Sequence, residues 1–92
     1  MHTVIGLGLS GCNLAELFEA NADYKVKLLD CDIEGENCFS IRAQATSEDY
    51  EKNTPDLTDF LSDSSEKIIF IVDGSTKIAG CSLQILKQLK NN

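Results

Sequence analysis

The stretch Thr3-Val-Ile-Gly-Leu-Gly-Leu-Ser-Gly-Cys-Asn13 decides the fold of this chain. A short β-branched and apolar run leads into the glycine-spaced segment Gly6-x-Gly8-x-x-Gly11. Apolar residues at helical spacing come next, and a second apolar run ends in Asp30. Strand, glycine turn, helix, strand and acid follow each other in this order at the start of a nucleotide-binding βαβ unit.

Each glycine of this segment has a distinct expected role. The first turns the chain, the second lets the backbone approach a phosphate, and the third packs the helix against the strand. The free N–H groups at the start of the helix then face the ligand. Asp30 lies 19 residues after Gly11, the usual place of an acid that binds a ribose. We therefore predict a phosphate-bearing ligand, although a βα turn also needs glycine for structural reasons alone.

The rest of the chain alternates between strand and helix patterns. A first helix is predicted from Gly11 or Cys12 to Ala22, with an apolar face formed by Leu14, Ala15, Leu17, Phe18 and Ala22. Thr54-Pro55-Asp56 predicts the start of another helix, with Thr54 as its N-cap. The remaining predicted elements are strands at 3–7, 25–30 (with Val26, Leu28 and Leu29 inside), 38–42 and 67–72, helical turns at 47–52, and a final helix at 78–90 that buries Ile78, Ile85, Leu86 and Leu89.

This order predicts an α/β fold, a Rossmann-like three-layer sandwich in a single domain, residues 1–92. Its parallel sheet has three to four strands in the order 3-2-1-4, with helices on both faces. The apolar run Lys67–Val72 is typical of a central strand buried on both sides, yet the order leaves one of its edges unpaired. We therefore expect either an N-terminal piece of a longer fold, which we favour, or self-association through that edge.

A second turn, Asp73–Gly80, follows the strand at 67–72 and opens at the same edge of the sheet. Small and hydroxyl residues precede the final helix, so a second set of N–H groups is expected to face the crevice. The turn is not a Walker A loop, because no glycine lies four residues before a Gly-Lys-Ser/Thr. The alternative is an ordinary helix start with Ser75 or Thr76 as N-cap.

Composition and charge exclude several classes of function. A net charge of −7 argues against nucleic acid as a partner, because a phosphate backbone needs a basic face. No apolar run approaches the ~20 residues that cross a bilayer, and the start has no signal-peptide pattern, so we expect a cytoplasmic protein without a membrane partner. With His2 as the one histidine, no catalytic triad can be assembled, and four cysteines without CxxC spacing predict no structural zinc site. The four cysteines are expected to be reduced.

The acidic loop Asp30–Glu36 superficially resembles the start of an EF-hand. Ile41 occupies the position where a bidentate carboxylate is required, and a strand rather than a helix precedes the loop. We therefore predict no metal site apart from Mg²⁺ that accompanies a nucleotide. Cys12, near a helix start, is a place where a thiol pKa can be lowered, but no base is found beside it.

These pieces together resemble the N-terminal part of the FtsZ/tubulin superfamily of GTPases. Ile5–Asn13 is similar to the first glycine loop of that family, Leu29–Asp32 to the end of its second strand, and Phe70–Gly80 stands where it carries its second phosphate loop. The resemblance implies a GTP/GDP-binding module with the phosphates between the two turns. The implied nucleotide-binding residues are Gly6, Gly8, Leu9, Ser10, Gly11, Asn13, Asp30, Asp32, Gly74, Ser75, Thr76 and Gly80.

The sequence departs from the family at the second loop, where Lys77 and Ile78 intrude, and at Leu9, where FtsZ has mostly glycine. The acidic loop that completes hydrolysis has no counterpart, so we expect no catalysis by the isolated chain and GTPase activity only within a complete tubulin-like protein. The first loop is also similar to NAD(P)-binding Rossmann domains and Mur ligase N-terminal domains, which implies an adenosine ribose on Asp30 or a bound UDP-sugar. A non-catalytic interaction protein with a degenerate Rossmann fold is the third alternative.

Overall fold

The four strands of this chain form one parallel sheet. The computed structural model describes residues 2–65 and 67–90. Its elements are β1 (His2–Leu7), α1 (Gly8–Glu16), β2 (Tyr24–Asp30), β3 (Cys38–Ser40), α2 (Ser47–Lys52), α3 (Thr58–Leu61), β4 (Lys67–Val72), a 3₁₀ helix (Lys77–Cys81) and α4 (Ser82–Lys90).

The strand order is β3-β2-β1-β4, and every pairing is parallel. This confirms the predicted α/β class and the order 3-2-1-4. The register places Leu7 opposite Leu29 on one side and opposite Val72 on the other, so three strands end at the same level. None of the helices in the described ranges is long and apolar enough to cross a membrane.

Alternating side chains of the strands build two separate cores, one on each face of the sheet. On one face, Ile5, Leu7 and Leu29 pack with apolar residues of α2, α3, the 3₁₀ helix and α4. On the other face, Val4, Val26 and Leu28 pack with Cys12 and Ala15 of α1. The helices therefore cover both faces, as the three-layer prediction required, and among the described helices α1 is the one that covers the second.

Helix α1 differs from its prediction in extent and in orientation. It begins at Gly8 and ends at Glu16, and tighter turns with i to i−3 hydrogen bonds continue the chain to Asn21. Its buried residues are small (Gly8, Gly11, Cys12 and Ala15). Leu14 and Leu17, which were predicted to face inward, are 52% and 75% exposed. The helix lies so close to the sheet that only small side chains fit between them.

The predicted N-cap at Thr54 is wrong. Helix α3 begins at Thr58, and the Thr54 hydroxyl donates to the carbonyls of Tyr50 and Glu51 at the end of α2. Asp56 instead shapes the entry to α3, because its carboxylate accepts from the N–H and the hydroxyl of Thr58. The hydroxyl of Thr54 thus satisfies carbonyls at a helix end rather than amides at a helix start.

The final helix predicted at 78–90 is divided in two. A 3₁₀ helix precedes α4, and Leu86, predicted to be buried, is 46% exposed.

Strand β4, which its apolar run predicts to be central, lies at an edge of the described sheet. Its residues 68–72 are half-buried and contact both cores, because each face is covered by a helix while the outer edge is not.

All four cysteines are free thiols, as predicted. Burial raises the pKa of Cys12 to about 11 and also raises the pKa of Cys81. The Cys12 thiol donates to the carbonyl of Leu29. The lowered pKa that a helix start can produce is therefore absent at Cys12, which serves as a small core residue.

Candidate functional site

Strand β1 passes into helix α1 without a loop. Leu7, the last strand residue, is extended, and Gly8 adopts a φ of +79°. Glycine takes this left-handed conformation without the steric cost of a Cβ, so the chain reverses at a single residue. The predicted glycine turn is therefore a tight junction, and Leu9, Ser10 and Gly11 belong to the first turn of the helix.

The two outer glycines of the segment let α1 approach the sheet. A Cβ on Gly6 would lie 2.6 Å from the carbonyl oxygen of Gly11 and 2.9 Å from the Cβ of Ala15. A Cβ on Gly11 would overlap the carbonyl oxygen of Ile71 in β4. The packing role predicted for Gly11 is thus confirmed, while Gly6 lies inside β1 and permits contact with the helix rather than turning the chain.

The amino end of α1 is uncapped by side chains and open to solvent. Leu7 holds the N-cap position, makes no side-chain hydrogen bond, and is followed by a first turn without acidic residues. Leu9 is 71% exposed, and Ser10 is also exposed. The unpaired N–H groups and the partial positive charge of this helix end are therefore available to an anion.

This helix end lies at the topological switch point of the sheet. The chain leaves β1 towards the face covered by α1, and it leaves β4 towards the opposite face, where Ile78, Cys81 and Ile85 are buried. The crevice between the carboxyl ends of β1 and β4 is where open parallel sheets bind their ligands. Both turns singled out in the sequence end at this crevice, and they contact each other through Gly8 and Ile78.

The second turn is held by its own side chains. The Asp73 carboxylate accepts from the N–H of Ser75 at 3.0 Å and from its hydroxyl at 2.7 Å. These bonds hold the pKa of the Asp73 carboxyl below its usual value. Thr76 occupies the N-cap position, but its hydroxyl donates to the carbonyl of Asp73. Thr76 is thus the N-cap residue, one of the two that the sequence offered, but its side chain does not cap the helix, and Asp73 organises the turn.

The two glycines of the second turn lie in different surroundings. Gly74 is exposed, and within the described ranges no atom lies within 4 Å of where its Cβ would be. A Cβ on Gly80 would overlap the carbonyl oxygen of Ser47. Gly74 thus borders open space at the crevice, whereas Gly80 allows the 3₁₀ helix to pack against the start of α2.

Ile78 narrows the crevice from the other side. Its Cγ2 methyl lies 2.8 Å from the position that a Cβ of Gly8 would take, and the side chain is buried. The room that glycine leaves for a phosphate in a nucleotide-binding turn is therefore partly filled by this methyl group. The accessible part of the helix end is the exposed side of Leu9 and Ser10.

The two predicted aspartates follow β2 on the other side of β1. Asp30 is half-buried, and one oxygen of its carboxylate accepts from the N–H of Cys31 at 2.8 Å. Asp32 has a φ of +53° and lines a separate open cavity of about 510 Å³. Asn13 is exposed on α1, beyond its first turn. The structure thus brings together the residues of the two turns, with Asp30 at the next strand end.

No protein-family model matches this chain, and neither a curated protein nor a solved structure is significantly similar to it. The resemblance to the FtsZ/tubulin superfamily therefore depends on the motif residues alone and stays a prediction. The crevice itself offers backbone N–H groups, exposed hydroxyls and one carboxylate. The one imidazole of the chain, His2, begins β1 at the opposite end of the sheet. The N–H groups and hydroxyls of the crevice can donate hydrogen bonds to an anion.

A second polar site was not anticipated from the sequence. Lys27, only 7% exposed, forms an ion pair with Asp63 at 2.6 Å and donates to the carbonyl of Phe60. Lys25 pairs with the same carboxylate. Lys25, Lys27 and Asp63 line an open cavity of about 450 Å³, and its other lining residues are Glu19, Tyr24, Val26, Glu36 and Asn37. The sequence contained one indication of this site, because Lys25 and Lys27 are two residues apart in a strand and therefore point to the same face.

No group of three or more histidine, cysteine, aspartate or glutamate side chains in residues 2–65 and 67–90 is arranged to hold a metal ion.

Proposed function

We propose that this chain binds a nucleotide, with its phosphates at the first turn of α1 and at the turn Asp73–Thr76. The observation that carries this proposal is the uncapped, exposed amino end of α1 at the switch point of the sheet. A helix end of this kind attracts phosphate through its N–H groups and its dipole. The glycine spacing that produces the tight junction is the one found in nucleotide-binding βαβ units.

GTP or GDP is the nucleotide that we propose, on the strength of the motif residues Gly6, Gly8, Gly11 and Asn13. An NAD(P) or UDP-sugar ligand is the alternative, and it would use Asp30 for the ribose. The Asp30 carboxylate has one protein hydrogen bond in the described chain and keeps further acceptor capacity. This carboxylate can accept from the ribose hydroxyls of either ligand, so it does not discriminate between the bases.

Magnesium is expected to accompany the nucleotide. The carboxyl of Asp73 has a lowered pKa, so it is ionised at neutral pH and repels a phosphate. A divalent cation between carboxylate and phosphate oxygens would offset that repulsion, and oxygen ligands are those that Mg²⁺ prefers. We expect binding without turnover by this chain alone. GTP hydrolysis is proposed only for a complete tubulin-like protein.

The test is isothermal titration calorimetry with GTP, GDP, NAD⁺ and UDP-glucose, each in Mg²⁺ and in EDTA. We expect GTP or GDP to bind in Mg²⁺ and binding to weaken in EDTA. Ser10→Glu should abolish binding because it places a carboxylate at the helix end. The same charge stabilises the helix by about 0.3–1 kcal/mol, so lost binding would not reflect unfolding.

Leu17→Glu is the matched control, because it adds the same charge beyond the other end of α1, where Leu17 is 75% exposed. It should bind as the wild type does. If NAD⁺ or UDP-glucose binds more tightly than GTP and GDP do, the alternative ligand is the correct one. If none of the four binds, or if Ser10→Glu binds as well as the wild type, the proposal is wrong.

A second candidate function is a non-catalytic interaction protein that retains the fold without a ligand. The contact between Ile78 and Gly8 favours it, because that methyl group occupies room beside the helix end. Ile78→Ala distinguishes the two functions. If the site binds nucleotide, removing the Ile78 side chain beyond its Cβ, the Cγ2 methyl included, should preserve or tighten binding. If neither form of the chain binds any of the four nucleotides, the interaction protein is the better description.

A further inference from the structure

Strand β4 has an outer edge without protection. Its inner edge pairs with β1 along all of Lys67–Val72, and no strand in residues 2–65 and 67–90 pairs with the outer edge. Natural edge strands are usually protected by lysines, prolines or bulges. Every residue from Ile68 to Val72 is apolar. The outer row of N–H and C=O groups is therefore a template for a further strand.

An exposed leucine of α1 flanks this edge on one face. Gly11 contacts β4 at Ile71, and Cys12 bonds to the carbonyl of Leu29 in β2 on the other side. At 3.6 residues per turn, Leu14 lies about 60° from Gly11 and about 160° from Cys12 around the helix. Leu14 is therefore on the β4 side of α1, and it is 52% exposed.

An exposed leucine of α4 flanks the same edge on the opposite face. The Gln88 side chain bonds to the backbone of Leu57 and Pro55, which places it on the side of α4 that faces α3. Leu86 lies about 160° from Gln88 around the helix, so it is on the side away from α3. Its side chain is 46% exposed. The unpaired edge thus runs between two exposed leucines.

We infer that this surface, formed by the outer edge of β4 with Leu14 and Leu86, binds a second copy of this chain. The two β4 strands pair antiparallel about a two-fold axis at Phe70. Ile68 then lies opposite Val72 of the second copy, and Ile69 lies opposite its Ile71. The two sheets become one sheet of eight strands, and the closed symmetry leaves no further β4 edge exposed.

Charge complementarity selects this occupant and this direction. In the antiparallel pairing, Lys67 lies opposite Asp73 of the second copy, and the pair occurs twice. A parallel pairing would place Lys67 opposite Lys67 and Asp73 opposite Asp73, which opposes like charges. The edge is therefore complementary to itself in one direction only, although the chain as a whole carries a net charge of −7.

The helix geometry agrees with the same axis. Gly11 is level with Ile71, and α1 runs antiparallel to β4. Three helix residues advance about 4.5 Å, which equals one to two strand residues at about 3.3 Å each. Leu14 is therefore close to the level of Phe70, and the Leu14 side chains of the two copies face each other beside the axis.

The test is the mass in solution, measured by light scattering after size exclusion and by sedimentation at several concentrations. We expect a species with twice the 10.1 kDa of one chain. Leu14→Glu and Leu86→Glu should each raise the dissociation constant at least about tenfold, because each removes a buried leucine from the interface. Leu9→Glu is the control, since Leu9 is 71% exposed and lies about 140° from Leu14 around α1, away from this surface. Far-UV circular dichroism verifies that every variant is folded.

A charge reversal tests the register itself. Lys67→Glu and Asp73→Lys should each weaken the dimer, because each opposes like charges, and the double variant should restore it. A wild-type monomer at 0.2 mM, which would leave the edge to another polypeptide, contradicts the inference. A dimer that Leu14→Glu leaves intact, or a double variant no stronger than either single variant, contradicts it as well.

Discussion

Gly11 lies where α1 meets the backbone of β4, and at the residue scale it is the most constrained position of the crevice. Gly11→Ala should destabilise the fold by about 1–3 kcal/mol, because the added Cβ overlaps a backbone oxygen that cannot move alone. Gly74→Ala is the control. It should be neutral or stabilising by up to about 1 kcal/mol, since its Cβ meets open space without a left-handed φ. Urea unfolding of both variants measures the difference, and equal effects would contradict the close approach of α1.

Asp63 is the residue that compensates the buried charge of Lys27. Its carboxylate is 55% exposed, while the Lys27 side chain is 7% exposed. Asp63→Asn should cost about 1–2 kcal/mol at pH 7, less than a fully buried pair, because solvent screens the carboxylate and Phe60 still accepts from Lys27. Asp23→Asn, at an exposed aspartate, should change stability by less than about 0.5 kcal/mol. Equal losses in the two variants would show that the ion pair adds nothing.

The same pair predicts a pH dependence. Hydrogen bonds from Lys25 and Lys27 lower the pKa of Asp63 from 3.8 to about 2. As the pH falls below about 4, the unfolded chain takes up a proton at this site before the folded chain does. The contribution of the pair is therefore complete above that pH and is lost towards pH 2. Urea unfolding between pH 7 and pH 2.5 should show a steeper loss for the wild type than for Asp63→Asn, and parallel curves would contradict this.

At the scale of the element, α1 shows what the sequence can and cannot reveal. The strands, α2 and the sheet order follow from local patterns, and their predicted positions agree with the structure within one or two residues. The buried face of α1 follows only in part: Ala15 is buried as its apolar pattern predicts, but Leu14 and Leu17 of the same pattern are exposed. Glycine and alanine determine that face instead, since they allow the helix to lie close to the sheet. Periodicity of large side chains cannot detect a face made of small ones.

This orientation of α1 can be tested directly. Ala15 is fully buried and lies beside Gly6, so Ala15→Leu should destabilise the fold by about 1–3 kcal/mol through overpacking. Leu17→Ala should change stability by less than about 0.5 kcal/mol, because that side chain is 75% exposed. Urea unfolding measures the free energy of unfolding of both variants. A larger loss of stability for Leu17→Ala than for Ala15→Leu would support the orientation predicted from the sequence and contradict the observed one.

The candidate site was predicted only in part for a similar reason. The sequence identified both turns and the acid after β2, because glycine spacing and strand ends are local signals. It did not reveal that Ile78 lies against Gly8, nor that Gly80 packs against Ser47. It also missed the pair formed by Lys27 and Asp63. These contacts join residues far apart in the chain, and no single-segment pattern encodes them.

At the scale of the whole molecule, the sheet order determines where a ligand can bind. Because α1 leaves β1 towards one face and the chain leaves β4 towards the other, the crevice between these strands is open at the carboxyl edge. The proposed nucleotide lies at that edge, and the proposed dimer uses the outer side of β4. The first turn of α1 and the outer edge of β4 are different surfaces of one sheet, and they adjoin at Asp73, which belongs both to the second turn and to the proposed strand pairing.

The central claim is that the first turn of α1 binds the phosphates of a nucleotide. Its most direct test is a titration of the ¹⁵N-labelled chain with GTP in Mg²⁺, followed by two-dimensional amide spectra. We predict that the largest shifts occur at the amides of Leu9, Ser10 and Gly11 and at those of the turn Gly74–Thr76. Spectra that do not change, or shifts confined to the cavity beside Lys25 and Lys27, would contradict the claim.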